Sequence, residues 1–398
     1  MRAGALLLLA ALASACATPA PPPTASSPSS DTQERALLAR AKLHGDPSLA
    51  ELLDRVTAAL LTENERAGAA PEVVVVRDPT ISAFVLPSGR IYLHTGLLAR
   101  LENEAQLATV LARALTQASR RPALERRAAQ GRVDGALLAI ASTIGAALAG
   151  TDASTASLSP MAEAILGGRL TVAYVAAVTG YGRDLEEEAD LGALRRLVRA
   201  GYDPKEAPKT FERLRREARS GGAIERFFLA AEAALGERIE TTARLVAGAY
   251  AVAAAAPDTL KSTQDFEEIM ASLARDNARL ELQVGRFRAA QEQLERAIAV
   301  WPADAQAYLA YGDLHRLRAQ RARGAADRDE LARRALAAYE RSARLDPDLV
   351  EVARQLGLLY YQQGQVERAR EAFTRYLARS PDAPDAPRVR EYLAALGR

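Results

Sequence analysis

The chain has 398 residues, 49% hydrophobic and 26% charged, enough for two or three compact domains and too apolar for a disordered polyelectrolyte. Lysine and arginine total 52 against 50 acidic residues, a net charge of +2 that gives no global field for nucleic acid, so no nucleic-acid partner is expected. A single cysteine excludes a disulfide framework and a cysteine metal cluster, and 5% aromatics among abundant Ala, Leu and Arg favours helices over a β-sandwich.

Met1-Arg2 is a short positive segment, and Leu6 to Leu12 is an apolar run too short to span a bilayer as a mature helix. Ala13-Ser14-Ala15 then precede Cys16. This order resembles a bacterial lipoprotein signal, which implies cleavage before Cys16 and lipidation of its sulfur. The same residues also fit an ordinary secretory signal with a cysteine nearby. Thr18 to Ser30 (TPAPPPTASSPSS) reads as a Pro/Ser tether. The expectation is a protein of the bacterial cell envelope that faces the periplasm, held to a membrane through Cys16. Ala17 is not the retention residue of such signals, which favours the outer membrane.

Asp46-Pro47 is a helix-start signal, and Leu49, Leu52, Leu53, Val56 and Leu60 follow at helical spacing. Val73 to Val76 suits a buried strand, while Ser82 to Leu86 and Arg90 to His94 flank Pro87-Ser88-Gly89 as a hairpin. Glu104 to Ser119 returns to helix with Leu107, Val110, Leu111, Ala114, Leu115 and Ala118 on one stripe. Gly135 to Gly150 and Met161 to Gly180 read as buried or lid-like helices rather than membrane spans. A helix from about Asp184 to Ala200 places Glu186 and Asp190 on the same face as Ala189, Ala193, Leu194 and Leu197. Two carboxylates on a buried face need a cation, a metal or several hydrogen bonds.

The stretch FVLPSGRIYLHTGLLARLENEAQLATVLARALTQASRR, followed by YGRDLEEEADLGALRRLVRAGYDP, resembles the gluzincin metallopeptidases, the family of the CAAX prenyl protease and bacterial periplasmic zinc proteases. The likeness runs from about Asp46 to Val246. It implies a zincin-like domain whose H-E-x-x-H helix binds Zn²⁺ through two imidazoles and activates water with the Glu. The aligned residues are Arg113-Ala114-Leu115-Thr116-Gln117. A third ligand matches Glu186, the carboxylate that orients a histidine matches Asp190, and Glu232-Ala233 stands where the family has a further histidine. Arg113 is always protonated and cannot ligate zinc, and Ala114 cannot accept a proton. The three histidines, His44, His94 and His315, form no ligand pattern. The expectation is therefore no metal, no cofactor and no catalytic residue. The Arg113 guanidinium would stand in for the ion between Glu186 and Asp190. The alternative is that Arg113 runs to solvent and the acids pair with Arg183 or water.

Pro302, Pro347 and Pro381 each close a helical pattern. The last two are 34 residues apart, the tetratricopeptide period, and the first interval is longer by an Arg-rich insertion of about 11 residues over Gln320 to Asp329. Leu356, Gly357, Tyr360, Ala369 and Phe373 match the repeat's large, Gly and aromatic positions, as do Tyr308, Tyr311, Gly312, Ala335 and Tyr339 in the repeat before. The fold class expected is mainly α with a small β-sheet: residues 1–15 signal, 16–30 tether, 31–255 a metallopeptidase-like domain, and 256–398 an α-solenoid of repeats. Three functions fit. The first is an inactive peptidase-like protein binding proteins or extended peptides through the repeat groove (Tyr308, Tyr311, Tyr360) and the hairpin edge at Tyr92. The others are an active zinc endopeptidase and a structural lipoprotein of an outer-membrane assembly.

Overall fold

The computed structural model describes residues 42–67, 70–85, 88–119, 183–220 and 232–397, with the side chains of 183–186, 218–220 and 232–234 outside that description. Cys16, the tether and the two apolar stretches between Gly135 and Gly180 lie outside the described residues. The chain is mainly helical with one small sheet, followed by helix pairs. Helix α1 (Pro47–Leu60) starts where Asp46 accepts hydrogen bonds from the Ser48 and Leu49 amides at 2.9 and 3.4 Å, with Pro47 in the first turn. It buries Leu49, Leu52, Leu53, Val56 and Leu60. A one-turn helix, α2 (Glu63–Arg66), follows behind a Thr62–Glu65 capping box.

Strands β1 (Val73–Val76), β2 (Ala83–Val85) and β3 (Ile91–His94) form a sheet of order β1-β3-β2, parallel between β1 and β3 and antiparallel between β2 and β3. The hairpin reading is correct for β2 and β3, but β3 is the central strand. It has a partner on both sides and no edge to offer. Residues 42–44 lie along β1, where His44 donates its amide to the Val75 carbonyl at 3.0 Å. On the other side of β3, β2 pairs with it through Ala83 to Val85.

After a short helix, α3 (Thr95–Leu98), comes α4 (Glu104–Ser119), which is buried almost all round and runs through the centre of the first unit. Helix α5 (Arg183–Arg199) lies along it, with Ala189, Asp190, Ala193, Leu194 and Leu197 buried. The two helices touch closely at Gly192, where a Cβ would stand 2.3 Å from Thr116 Cγ2. Arg196 clamps α5 in place through a bidentate ion pair with Glu65 (2.6 and 2.5 Å) and a bond to the Leu60 carbonyl at 3.0 Å. Helices α6 (Glu206–Ser220), α7 (Glu232–Ala247) and α8 (Ala251–Ala255) complete this unit.

Helix α9 (Gln264–Gln283) is shared between the two halves of the chain. Its Phe266, Met270 and Leu273 belong to the first unit's core, while Ala278 and Leu282 join that of the repeats. A buried polar network fixes the junction. Arg100 donates to Glu217 and to Glu281, each at 2.9 Å, and Thr95 donates to Asn277 at 2.8 Å, which in turn donates to Gln293 at 3.0 Å.

With α9, α10 (Phe287–Val300) makes the first helix pair, then α11 (Ala305–Arg321) with α12 (Ala325–Leu345) and α13 (Val350–Gln362) with α14 (Val366–Arg379), closed by α15 (Ala386–Ala395). Each later pair crosses where a glycine admits an aromatic ring. A Cβ at Gly312 would stand 2.3 Å from Tyr339, and one at Gly357 would stand 2.4 Å from Phe373. Within the first and third pairs the turn is a glycine with positive φ, Gly285 (78°) and Gly364 (70°). The middle pair departs from this: α11 and α12 span 17 and 21 residues against 13 and 14 in α13 and α14, and they meet at Ala322 to Gly324 instead.

Candidate functional site

From Glu104 to Gln117 helix α4 is buried except at Arg113 and Gln117, which are half-buried four residues apart on one face; Ser119 is exposed at the helix end. From that face the Arg113 Nε donates to Asp190 Oδ1 at 3.1 Å, and Asp190 is only 2% exposed. The same carboxylate accepts two further bonds from Arg238 on α7, Nε to Oδ2 at 2.8 Å and a terminal nitrogen to Oδ1 at 3.0 Å. That guanidinium is held from its other side by Phe211, with Cζ 4.0 Å from the ring centre. Burial and the charge of Arg238 draw the Arg113 guanidinium down to about 10, against the upward pull of Asp190. It stays protonated at neutral pH. Two cations thus close on one buried carboxylate, with Arg113 and Arg238 side chains 17% and 15% exposed.

Arg113 therefore turns inward to Asp190. The side chains of Glu186 and Glu232 lie outside the described residues, so the bridge to Glu186 is not part of the geometry here. Arg238 escaped the sequence reading. Its signal was present: Leu235, Arg238, Thr242 and Val246 follow helical spacing, and one cation interrupts an otherwise buried face. Ala114 is buried and contributes no polar group.

The histidines lie in other settings. His94 ends β3, buried, with Nδ1 2.7 Å from Thr80 Oγ1, whose own hydroxyl donates to Asp78 Oδ1 at 2.6 Å. Nδ1 is therefore the protonated nitrogen and donates to Thr80, and burial pushes the imidazole down from its usual range. His315, on α11, is 2% exposed, stacks edge-on against Tyr311 at 4.7 Å, and is pushed down to about 4 by burial and by the charges of Arg318 and Arg334.

Two of the candidate peptide contacts are corrected by burial. Tyr92 is fully buried on the central strand, stacked on Phe84 at 5.2 Å, and presents nothing to a ligand. Tyr360 is buried in the core of the last repeats and donates to Glu340 at 3.1 Å. Tyr308 and Tyr311 are half-buried on α11, and Tyr311 donates to Glu295 at 3.2 Å.

A family model described as Peptidase family M48 matches residues 47–271, and two tetratricopeptide-repeat models match residues 275–332 and 322–394. A putative beta-barrel assembly-enhancing protease of Vibrio cholerae is 27% identical over 190 residues, 48% of this chain and 37% of that protein. The beta-barrel assembly-enhancing protease of Escherichia coli K12 is 25% identical over 189 residues, again 48% and 37%. The mitochondrial metalloendopeptidase OMA1 of Arabidopsis thaliana is 32% identical over 143 residues, 36% of this chain and 25% of that one. The chain thus spans well under half the length of these relatives.

The family match overturns the expectation that the chain takes no cofactor, because M48 members are zinc metallopeptidases and zinc is the ion this family brings to the fold. The described residues on the α4 face do not fit that ion. Arg113 offers only N–H donors, Ala114 offers nothing, and Asp190 already accepts three guanidinium bonds. Among the described residues no three His, Cys, Asp or Glu side chains gather where a metal could be held.

Proposed function

The chain belongs to peptidase family M48 and carries C-terminal tetratricopeptide repeats, and on that premise we propose that it grips polypeptides in the bacterial envelope without hydrolysing them. The observation that carries this reading is the hydrogen bonding of Asp190. Its three acceptor contacts go to Arg113 and Arg238, two permanent cations that can neither activate water nor take a proton from it. Peptide-bond hydrolysis needs a nucleophile made from water and a polarised carbonyl, and none of these groups supplies the first. Binding asks for less. Capture by helix-pair repeats uses packed side chains on helices well away from Asp190, and it needs no hydrolytic chemistry.

The location follows from the lipoprotein-like segment ending at Cys16, supported by relatives whose names tie them to β-barrel assembly. On this reading the lipid on Cys16 anchors the chain to the outer membrane, the Pro/Ser tether gives it reach, and the repeats hold a partner protein.

Family membership itself favours a competing reading, metal-dependent proteolysis. One experiment separates the two. An unfolded fluorescent casein is incubated with the full chain in zinc-containing buffer, and both complex formation and fragment release are followed. Retained, uncleaved casein supports the proposal. Fragments that disappear with a chelator and return with zinc support the peptidase.

A further inference from the structure

The inserted residues between the middle pair of repeat helices build a cavity of about 370 Å³, within the size range of ligand sites. It opens where α11 and α12 overshoot their neighbours and meet the start of α10. Phe287 and Leu331 form an apolar floor. The rim carries Arg318, Arg321 and Arg334 against Asp327 and Glu330, which leaves one positive charge unbalanced.

These cations are not equally engaged. Arg334 donates to Glu330 at 2.8 Å, and Arg318 donates to the neutral amide of Gln291 at 2.9 Å. Arg321 lies with Cζ 4.6 Å from the Phe287 ring centre, and among the described residues it is bonded to no carboxylate. The guanidinium passes close over Gly285, where a Cβ would stand 3.0 Å from it.

We propose that this cavity binds the C-terminal residue of a partner polypeptide, with the chain-end carboxylate on Arg321 and Arg318 and an apolar last side chain on Phe287 and Leu331. One unbalanced charge matches a single carboxylate; a phosphate dianion or a nucleic-acid backbone would overfill it. The stacking of Arg321 on Phe287 puts charge and apolar floor side by side. A terminal apolar residue carries both features on the same Cα, whereas an internal acid carries its charge at the tip of its own side chain. The site owes nothing to Asp190 and stands whether or not the first unit hydrolyses peptides.

The test uses the full chain and fluorescein-labelled Gly-Ser-Gly-Ser-Asn-Leu in three forms: free acid, C-terminal amide, and an amide with Asp in place of Asn. The free acid binds by fluorescence anisotropy, and both amides bind at least about tenfold more weakly. Arg321→Ala and Phe287→Ala each weaken the free acid by about tenfold or more, while Arg375→Ala, on α14 and paired with Glu371 away from the cavity, leaves it unchanged. Melting curves of all three variants establish that they are folded. The proposal is overturned if no peptide binds, if any amide binds as well as the acid, or if folded Arg321→Ala binds like the parent.

Discussion

Replacing Asp190 by Asn is the sharpest probe of the buried ion cluster. The carboxylate accepts bonds at 3.1, 2.8 and 3.0 Å from two guanidiniums and is shielded from water. Asn keeps the shape and removes the charge, leaving Arg113 and Arg238 facing each other without their shared counterion. Breaking such a buried pair costs about 3–5 kcal/mol. A domain of this size moves about 2–4 °C per kcal/mol, so the first unit should melt about 10 °C lower. Two guanidiniums ~5 Å apart at an effective dielectric of ~20 repel by ~3 kcal/mol, reduced to about 1–2 kcal/mol by their partial exposure. Adding Arg113→Met to Asp190→Asn should therefore restore about 3–5 °C. Arg113→Ala alone should cost about 1.5–3 kcal/mol, since Arg238 still donates two bonds to Asp190. The assay is circular dichroism during heating, with urea titration at 25 °C as a check. A melting temperature for Asp190→Asn within about 2 °C of the parent, or no recovery in the double variant, would refute the reasoning.

Three further outcomes follow from the same geometry. Gly192→Ala drives a methyl into Thr116 and should destabilise by about 1–3 kcal/mol in urea, with Thr116→Ala recovering most of the loss. His315, held near 4 in the fold and near 6.5 when unfolded, is neutral in the native state. The unfolded chain therefore takes up the proton first as pH falls through 6.5, and stability drops by about 2 kcal/mol by pH 5. Urea titrations of His315→Gln should lack that component of the slope. Rebuilding H-E-x-x-H by Arg113→His, Ala114→Glu and Gln117→His should leave zinc uptake weak while Arg238 occupies Asp190, and adding Arg238→Leu should raise it in elemental analysis.

Much of the scaffold was legible because its signals are local. Asp46-Pro47 marks a helix start through bonds two and three residues away, and the repeats announce themselves through Gly312 with Tyr339 and Gly357 with Phe373. The face carrying Asp190 could be read from the spacing of Ala189, Ala193, Leu194 and Leu197. Long-range pairings were not legible. Periodicity says that β3 is a strand but not that β1 flanks it on the far side, so Tyr92 looked available when it is enclosed. The Arg238–Asp190 pair joins residues 48 apart, and Arg100–Glu281 joins residues 181 apart. Spacing rules hold within one helix and say nothing across such separations. The absence of a cofactor, inferred from Arg113, Ala114 and Gln117, was corrected by a family match that spans far more of the chain than those three residues.

Asp190 is committed to two guanidiniums, and a cleavage assay tests most directly whether polypeptides are held without being hydrolysed. Full-length chain is mixed with unfolded fluorescent casein in zinc-containing buffer, with and without chelator, and fragments are resolved by mass spectrometry over hours. Casein should stay bound and intact under both conditions. Chelator-sensitive fragments that also vanish in Asp190→Ala would contradict it.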